Sequence, residues 1–227
     1  MVDKAVLFAA DPPPAQAEAQ PGKAKVRRLD WLSAALDRLV SDGVDSVKVL
    51  SLSARLGVSR SSFYWYFKSR QDLLDALLAH WQNTNTAGLV GQAEQPAATI
   101  TEAVCNVFHC VFDPALFDTA LDYAVRDWAR RSARVRAIVE ASDRSRLAAL
   151  VAMFARFGYR DDEAVTRARV LYYMQIGYSD ADLREPLEAR LRLLPGYLYC
   201  FTGRHGQPDE LAAFHAFANR VARGEGQ

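Results

Sequence analysis

Apolar residues recur at spacings of three and four along most of this 227-residue chain. That period places them on one face of an α-helix. The first clear run begins near Lys25, where Leu29, Leu32, Leu36, Leu39 and Val40 share a face. Gly43 stands just beyond it, where a helix end favours a left-handed residue. A short second segment covers about Val49 to Leu56. Gly57-Val58-Ser59 then makes a tight turn. A third segment, Arg60 to Phe67, ends in five aromatics, Phe63, Tyr64, Trp65, Tyr66 and Phe67. Ser69 reads as an N-cap, with Asp72 three residues on to complete a capping box. A long helix follows through Leu73, Leu74, Leu77, Leu78 and Trp81. Beyond Gly91 the pattern predicts helices over about 97–112, 114–131, 133–157, 161–179, 185–201 and 208–223. Pro195 is compatible with one helix or with two. No stretch alternates as a strand would, so the fold class is all-α.

Charge changes this picture more than composition does. The chain is 50% hydrophobic and 24% charged, with a formal charge of +1. This excludes a disordered chain, a collagen-like chain and a disulfide scaffold. The near-neutral sum hides an asymmetry. Residues 1–22 carry −2. Residues 23–70 hold ten basic against four acidic residues, a net of +6. Residues 71–227 carry −3. A basic block is either a solvated face or a phosphate-binding module. Residues 1–22, with Pro12, Pro13 and Pro14, read as a disordered leader. Val6 to Ala10 is too short for a signal-peptide core, and no apolar run approaches the roughly 20 residues of a membrane helix. Three cysteines, Cys105, Cys110 and Cys200, are few and odd in number, which points to a reducing cytoplasm.

The basic block coincides with a helix-turn-helix layout. Two short helices joined by a Gly-containing turn are the unit that lays its second helix in a DNA major groove. Leu52 and Leu56 are placed to pack on Val58 and Phe63. Gly57 permits the turn, and Ser59 is expected to cap the second helix. Arg60, Ser61, Ser62, Trp65 and Tyr66 are then expected to point outward, while Phe63 and Phe67 go to the core.

The stretch from Leu52 to Leu74 resembles the DNA-binding signature of TetR-family transcriptional regulators. It carries Gly57-Val58-Ser59, then Phe63-Tyr64-x-Tyr66-Phe67, then Lys68-Ser69-Arg70-x-Asp72-Leu73-Leu74. The resemblance covers roughly residues 27–80. It implies that Arg60 and Ser61 approach bases, that Ser62 and Tyr64 bond phosphate, and that Lys68 and Arg70 contact the DNA backbone at the start of the fourth helix. Trp65 and Tyr66 stand on the same segment. Ser61 replaces a frequent Gly, and Lys48 stands where a Ser or Thr cap is usual. Either Ser46 caps instead, with the helix starting early, or Lys48 reaches a phosphate. Lys23, Lys25, Arg27 and Arg28 form a candidate minor-groove arm.

The domains expected are thus a leader at 1–22 and a helix-turn-helix domain at 23–70, continued by a linking helix to about 88. A helical ligand-binding and dimerisation domain takes 71–227. For that last domain, polar or aromatic groups on apolar stretches nominate Phe108, His109, Phe112, Asp127, Trp128, Tyr173 and Gln175 as ligand-binding. Apolar stripes nominate Val165, Ala168, Tyr172, Ile176, Leu191 and Leu198 as the dimer interface. Part of each stripe serves equally well as internal core. The reading is a ligand-responsive repressor. It binds a palindromic double-stranded DNA operator as a homodimer, with an unknown small-molecule effector, no cofactor, no metal and no membrane partner. It is not an enzyme: there is no Gly-rich phosphate loop, H-E-x-x-H or G-x-S-x-G, and Cys105 with His109 lacks a third orienting group. The rival readings are a helical adaptor without operator binding and a Cys/His-dependent enzyme.

Overall fold

In the computed structural model, which describes residues 26–225, no described residue lies in a strand. The expected leader, Lys23 and Lys25 lie outside the described residues. The chain divides into two compact units, one through His80 and one from Trp81 onward.

The first unit begins with α1, Arg28–Asp42. Its start is set by Asp30, whose carboxylate accepts from the Arg27 backbone N–H at 2.6 Å. The apolar face buries Trp31, Leu32, Ala35 and Leu39. One turn of 3-10 helix, Val44–Ser46, leads to α2, Val49–Leu56, and α3, Arg60–Phe63. Gly57 between them has φ 67, a left-handed conformation that side chains with a Cβ adopt at a cost. Helix α4 spans Arg70–Trp81. Ser69 Oγ accepts from Asp72 N at 3.2 Å, as an N-cap should. The return bond goes from Lys68 N to Asp72 at 2.8 Å, one residue earlier than in a capping box.

The second unit opens with a π-helical segment, Gln82–Thr86, continuing into α5, Ala87–Glu94. The buried Asn85 side chain explains that irregularity. It donates to Asp118 O at 2.7 Å and accepts from Asp118 N at 3.2 Å. Then come α6, Ile100–Phe112; α7, Thr119–Arg131; α8, Ala133–Arg156; and α9, Asp161–Asp180. The chain closes with α10, Leu187–Thr202, and α11, Pro208–Ala222. Pro195 lies inside α10, so one helix and not two occupies that stretch. Helix α7 starts five residues later than the pattern predicts, because Asp118, not Asp113, supplies the cap, accepting from Leu121 N. Thr99 and Ser132 cap α6 and α8 in the same way.

Helix α8 packs on α5, α7 and α9, while α6 packs on α5, α10 and α11. Phe108 meets Phe201 and Phe214 edge-on in the core, at centroid distances of 5.9 and 6.4 Å. Glu210 ties α11 to α6 by accepting from both Thr99 and Thr101. Burial pushes its carboxyl up, but these bonds and the Gln207 N–H leave it below its ordinary value. Where α5 passes residue 116, Gly88 is required by space: an added Cβ would sit 2.0 Å from the Leu116 carbonyl oxygen. No described helix is long and apolar enough to cross a membrane.

Candidate nucleic-acid interface and a cavity

Helix α3 is held from beneath by aromatic packing. Phe63 is fully buried, edge-on to Trp31 at 5.3 Å and stacked on Phe67 at 5.4 Å. The helical geometry ends at Phe63, earlier than the pattern predicts. Tyr64, Trp65 and Tyr66 follow in turns closed by Tyr64 N to Ser61 O and Tyr66 N to Phe63 O. Anchoring Phe63 and Phe67 inside leaves Tyr64 and Trp65 between them at the surface. Tyr64 is 60% and Trp65 65% exposed, and Arg60 and Ser61 are exposed beside them. Lys48 and Lys68 are also exposed.

Four residues behave differently from the expectation. Ser62 is buried rather than outward, because it lies beside Phe63 on the inner side of so short a helix. Tyr66 is half-buried, and its hydroxyl donates to the Val26 carbonyl at 2.9 Å. Ser59 holds the N-cap position but makes no cap bond; its hydroxyl pairs with that of Ser61 at 2.7 Å. Arg70 Nε donates to the Val47 carbonyl at 2.6 Å and Nη2 to the Val44 carbonyl at 2.7 Å. Those two donors brace the α1–α2 connection. Ser46 does not cap α2: its hydroxyl turns back to the Gly43 and Arg38 carbonyls, and α2 starts after Lys48. Arg27 and Arg28 stand at the start of α1, with the Arg28 guanidinium 4.9 Å from the Phe67 ring centre.

The second unit holds a partly open cavity of about 320 Å³ among α5, α6, α7, α8 and α9. Asp127, Tyr173 and Gln175 line it, as do Tyr172 and Ile176. Phe108, Phe112 and Gln175 line a separate space of about 40 Å³. His109 and Trp128 line neither. The His109 ring stacks on Phe214 and lies tilted against Phe217, and Trp128 is buried. Of the expected dimer stripes, Ala168, Tyr172, Leu191 and Leu198 are buried within this chain's own core and so are not surface residues. Stripe positions that face inward satisfy the chain's own packing first. Val165 is 42% exposed, and Ile176 is half-buried.

Beside the cavity, Asp122, Arg126, Asp143 and Arg146 form a polar cluster with Tyr172, and of these only Tyr172 is nominated by the sequence. Asp122 on α7 is buried and accepts from Trp81 Nε1 at 2.8 Å, Arg146 Nη1 at 2.9 Å and Arg126 Nε at 2.7 Å. Arg126 holds Asp143 bidentately, at 2.7 and 3.1 Å. The Tyr172 hydroxyl accepts from both arginines and donates to Asp143 at 2.6 Å. Burial pushes the Asp122 carboxyl up, but Arg146 and Arg126 with these bonds outweigh it and hold it below its ordinary value. Burial pushes the Tyr172 phenol up; Arg146 and Arg126 oppose that in part. A signal for this wall exists in the sequence. Arg146 falls on the apolar stripe of α8, between Val139, Ser142 and Leu150.

Cys105 and Cys110 have thiols pushed up to about 12, chiefly by burial. Such thiols are protonated near neutral pH and are poor nucleophiles. Burial lowers the pKa of His109. Among the described residues no group of three or more His, Cys, Asp or Glu is placed to hold a metal.

Residues 32–77 match the model of the bacterial regulatory proteins of the tetR family. The tetracycline repressor protein class A from transposon 1721 of Escherichia coli is 46% identical over 46 residues, which is 20% of this chain and 21% of that protein. The class D repressor of Escherichia coli is 35% identical over 54 residues, 24% of this chain and 25% of that protein. The chain thus matches only about a quarter or less of these relatives' length. Solved structures match far more of it. Salmonella enterica GusR superposes with a TM-score of 0.62 at 19% identity, covering 78% of this chain and 93% of that one. Mycobacterium smegmatis AmtR gives 0.58 at 20% identity, covering 89% and 97%. At such identities the likeness concerns the fold. Residues 32–77 thus carry the N-terminal domain that characterises the bacterial regulatory proteins of the tetR family.

Proposed function

We propose that the protein is a DNA-binding transcriptional regulator, working as a homodimeric, ligand-responsive repressor on a palindromic operator. The observation that carries the DNA-binding part is the outward row of Arg60, Ser61, Tyr64 and Trp65 over a fully buried Phe63. Arg60 is suited to a guanine edge, Ser61 and the Tyr64 hydroxyl to phosphate oxygens, and Lys48 and Lys68 to the backbone on either side. Ser62, Tyr66 and Arg70, engaged inside the domain, set the pose of that row. Two copies would place it in half-sites about 34 Å apart or a multiple of that. The tetracycline repressor names of the relatives favour repression, and a cytoplasmic location follows from the same reading.

Dimer contacts would come from outward positions such as Val165, Val170, Leu193 and Tyr199, which are exposed and apolar. The cavity of the second unit would take the effector. An effector acts only through unequal affinity for two dimer states.

The test is operator binding against salt. Arg60→Ala and Tyr64→Ala should each weaken binding, by about tenfold for a lost charge-assisted contact. Lys68→Ala should lower the salt slope by about 1. Wild-type binding by all three variants would overturn the docking assignment.

A further inference from the structure

Helix α9 turns one face into the second unit, and Gln175 stands on it. Ala168, Leu171 and Tyr172 are buried on that face. Gln175 follows Leu171 by four residues and Tyr172 by three, so its side chain leaves the helix on the same side. It borders both internal spaces, the larger cavity and the smaller one beside it. Gln175 is half-buried, and no described residue hydrogen-bonds its side-chain amide. The amide is not one of the unpartnered groups shut away from solvent, so water reaches it. A carboxamide accepts through one atom and donates through the other, and here both capacities are open. Arg146 is the opposite case. Its side chain is wholly buried, its Nε donates to Thr86 Oγ1 at 3.1 Å, and its guanidinium carbon lies 4.9 Å from the Trp81 ring centre and 5.2 Å from that of Phe117. Its Nη2 has no partner either, but solvent does not reach it.

We infer that the larger cavity takes a small, uncharged ligand with an apolar body and one neutral group that both donates and accepts, and that Gln175 is its hydrogen-bonding anchor. The inference rests on reading the cavity as the effector site, and adds the chemistry of the effector. Burial along the lining orients such a ligand. Leu89, Val107, Leu150 and Leu171 are buried and form an apolar floor. Tyr123, Tyr173 and Asp180 are exposed, which sets the mouth on their side. Gln175 is intermediate, so an apolar body on the floor brings its polar end to that amide. Charge decides the neutrality. Each charged side chain of the lining has an opposite partner: Asp122 with Arg126 and Arg146, Asp127 with Arg131, and Arg130 with Asp180. A buried ligand charge of either sign would therefore lack a counter-charge. The Tyr172 hydroxyl already accepts twice and donates once, so it offers no anchor. Thr119 and Ser179 line the cavity too, but a hydroxyl on so short a stem stays near its own helix and turns readily to a backbone carbonyl there. A volume of about 320 Å³ is near the lower end for ligand pockets, which limits the occupant to a small molecule.

The experiment titrates the purified full chain near neutral pH, without DNA, with probes of matched shape: benzamide, isopropylbenzene, benzoate and benzamidinium. In the wild type, benzamide should bind more tightly than either ion. Gln175→Leu keeps an inward side chain of similar size and removes both hydrogen-bonding atoms. It should weaken benzamide by about tenfold, the effect of losing hydrogen bonds to a neutral amide, and leave isopropylbenzene as tight as before or tighter. The side-chain NH2 resonances of Gln175, assigned by their loss in the variant, should shift when benzamide is added. If the Leu variant fails to fold, Gln175→Met carries the same expectation. Equal loss for benzamide and isopropylbenzene, or loss for neither, overturns Gln175 as the anchor. Tightest binding by benzoate or benzamidinium overturns the uncharged ligand. Binding by none of the four overturns the proposal as a whole, and leaves the operator-binding reading to its own salt titration. Loss of operator binding with the Gln175-dependent benzamide affinity intact would overturn that reading alone.

Discussion

The outward face of α3 and the polar wall of the cavity are both built from arginines and tyrosines, and they are held in opposite ways. Arg60 and Tyr64 are exposed above buried Phe63 and Phe67, the Tyr64 ring resting edge-on against Phe63 at 5.2 Å. Arg126, Arg146 and Tyr172 are interlocked with two carboxylates, and most of their donors and acceptors are used within the protein. The first arrangement keeps its hydrogen-bonding capacity for a partner. The second spends nearly all of it on folding and leaves one amino group over. Substitutions should therefore separate function from stability in the first region and join them in the second.

The largest effect expected is from Asp122→Ala. It would strand Arg146 and part of Arg126 as buried cations, a loss of about 3–5 kcal/mol in urea unfolding. Acid should act on the same group in wild type. The folded Asp122 has its pKa below 3.8, so its contribution is complete above that pH and is lost as pH falls below it. Asp122→Ala should therefore lose less additional stability than wild type across that acid range. Should Asp122→Ala be nearly neutral, the wall is solvated and the contrast between the regions fails.

Gly88→Ala comes next. The new Cβ meets a backbone carbonyl at 2.0 Å, so α5 must move, at a cost of about 1–3 kcal/mol despite alanine's better helix propensity. Gly91→Ala on the same helix meets nothing within 4 Å and should raise stability by up to about 1 kcal/mol. Opposite signs in thermal melts would confirm that packing, and not propensity, sets residue 88.

The smallest stability effect is expected at Trp65, which is 65% exposed. Trp65→Ala should leave unfolding within about 0.5 kcal/mol of wild type. Any change in operator affinity would then report on contact with DNA. A large loss of stability would show that Trp65 belongs to the core after all.

How far these regions were legible in the sequence follows from the same difference. The α3 face was readable because local signals agree: Gly57 ends one helix, Ser59 begins the next, and Phe63 and Phe67 have no apolar alternative to the core. Within it, Ser62 and Tyr66 turn inward rather than outward and Arg70 donates to the chain's own backbone, because their surroundings include Val26, Val44 and Val47, which lie outside the local segment. In the second unit, helix existence and order were readable, and Asp127, Tyr173 and Gln175 were named among the cavity's residues. Tyr172 was assigned to an outer stripe although it is the hub of the buried wall. Periodicity finds the apolar face of a helix but does not say whether its own chain or a second copy covers it.

By itself, the sequence determined an all-helical chain, the helix-turn-helix spacing and the place where its basic charge gathers. Each depends on residues close together along the chain. The tertiary structure alone decided that Arg146 would meet Asp122, Thr86, Trp81 and Phe117, which come from separate segments. It alone left Nη2 without an acceptor, because hydrogen-bond satisfaction is a property of the packed interior and not of any one stretch of chain.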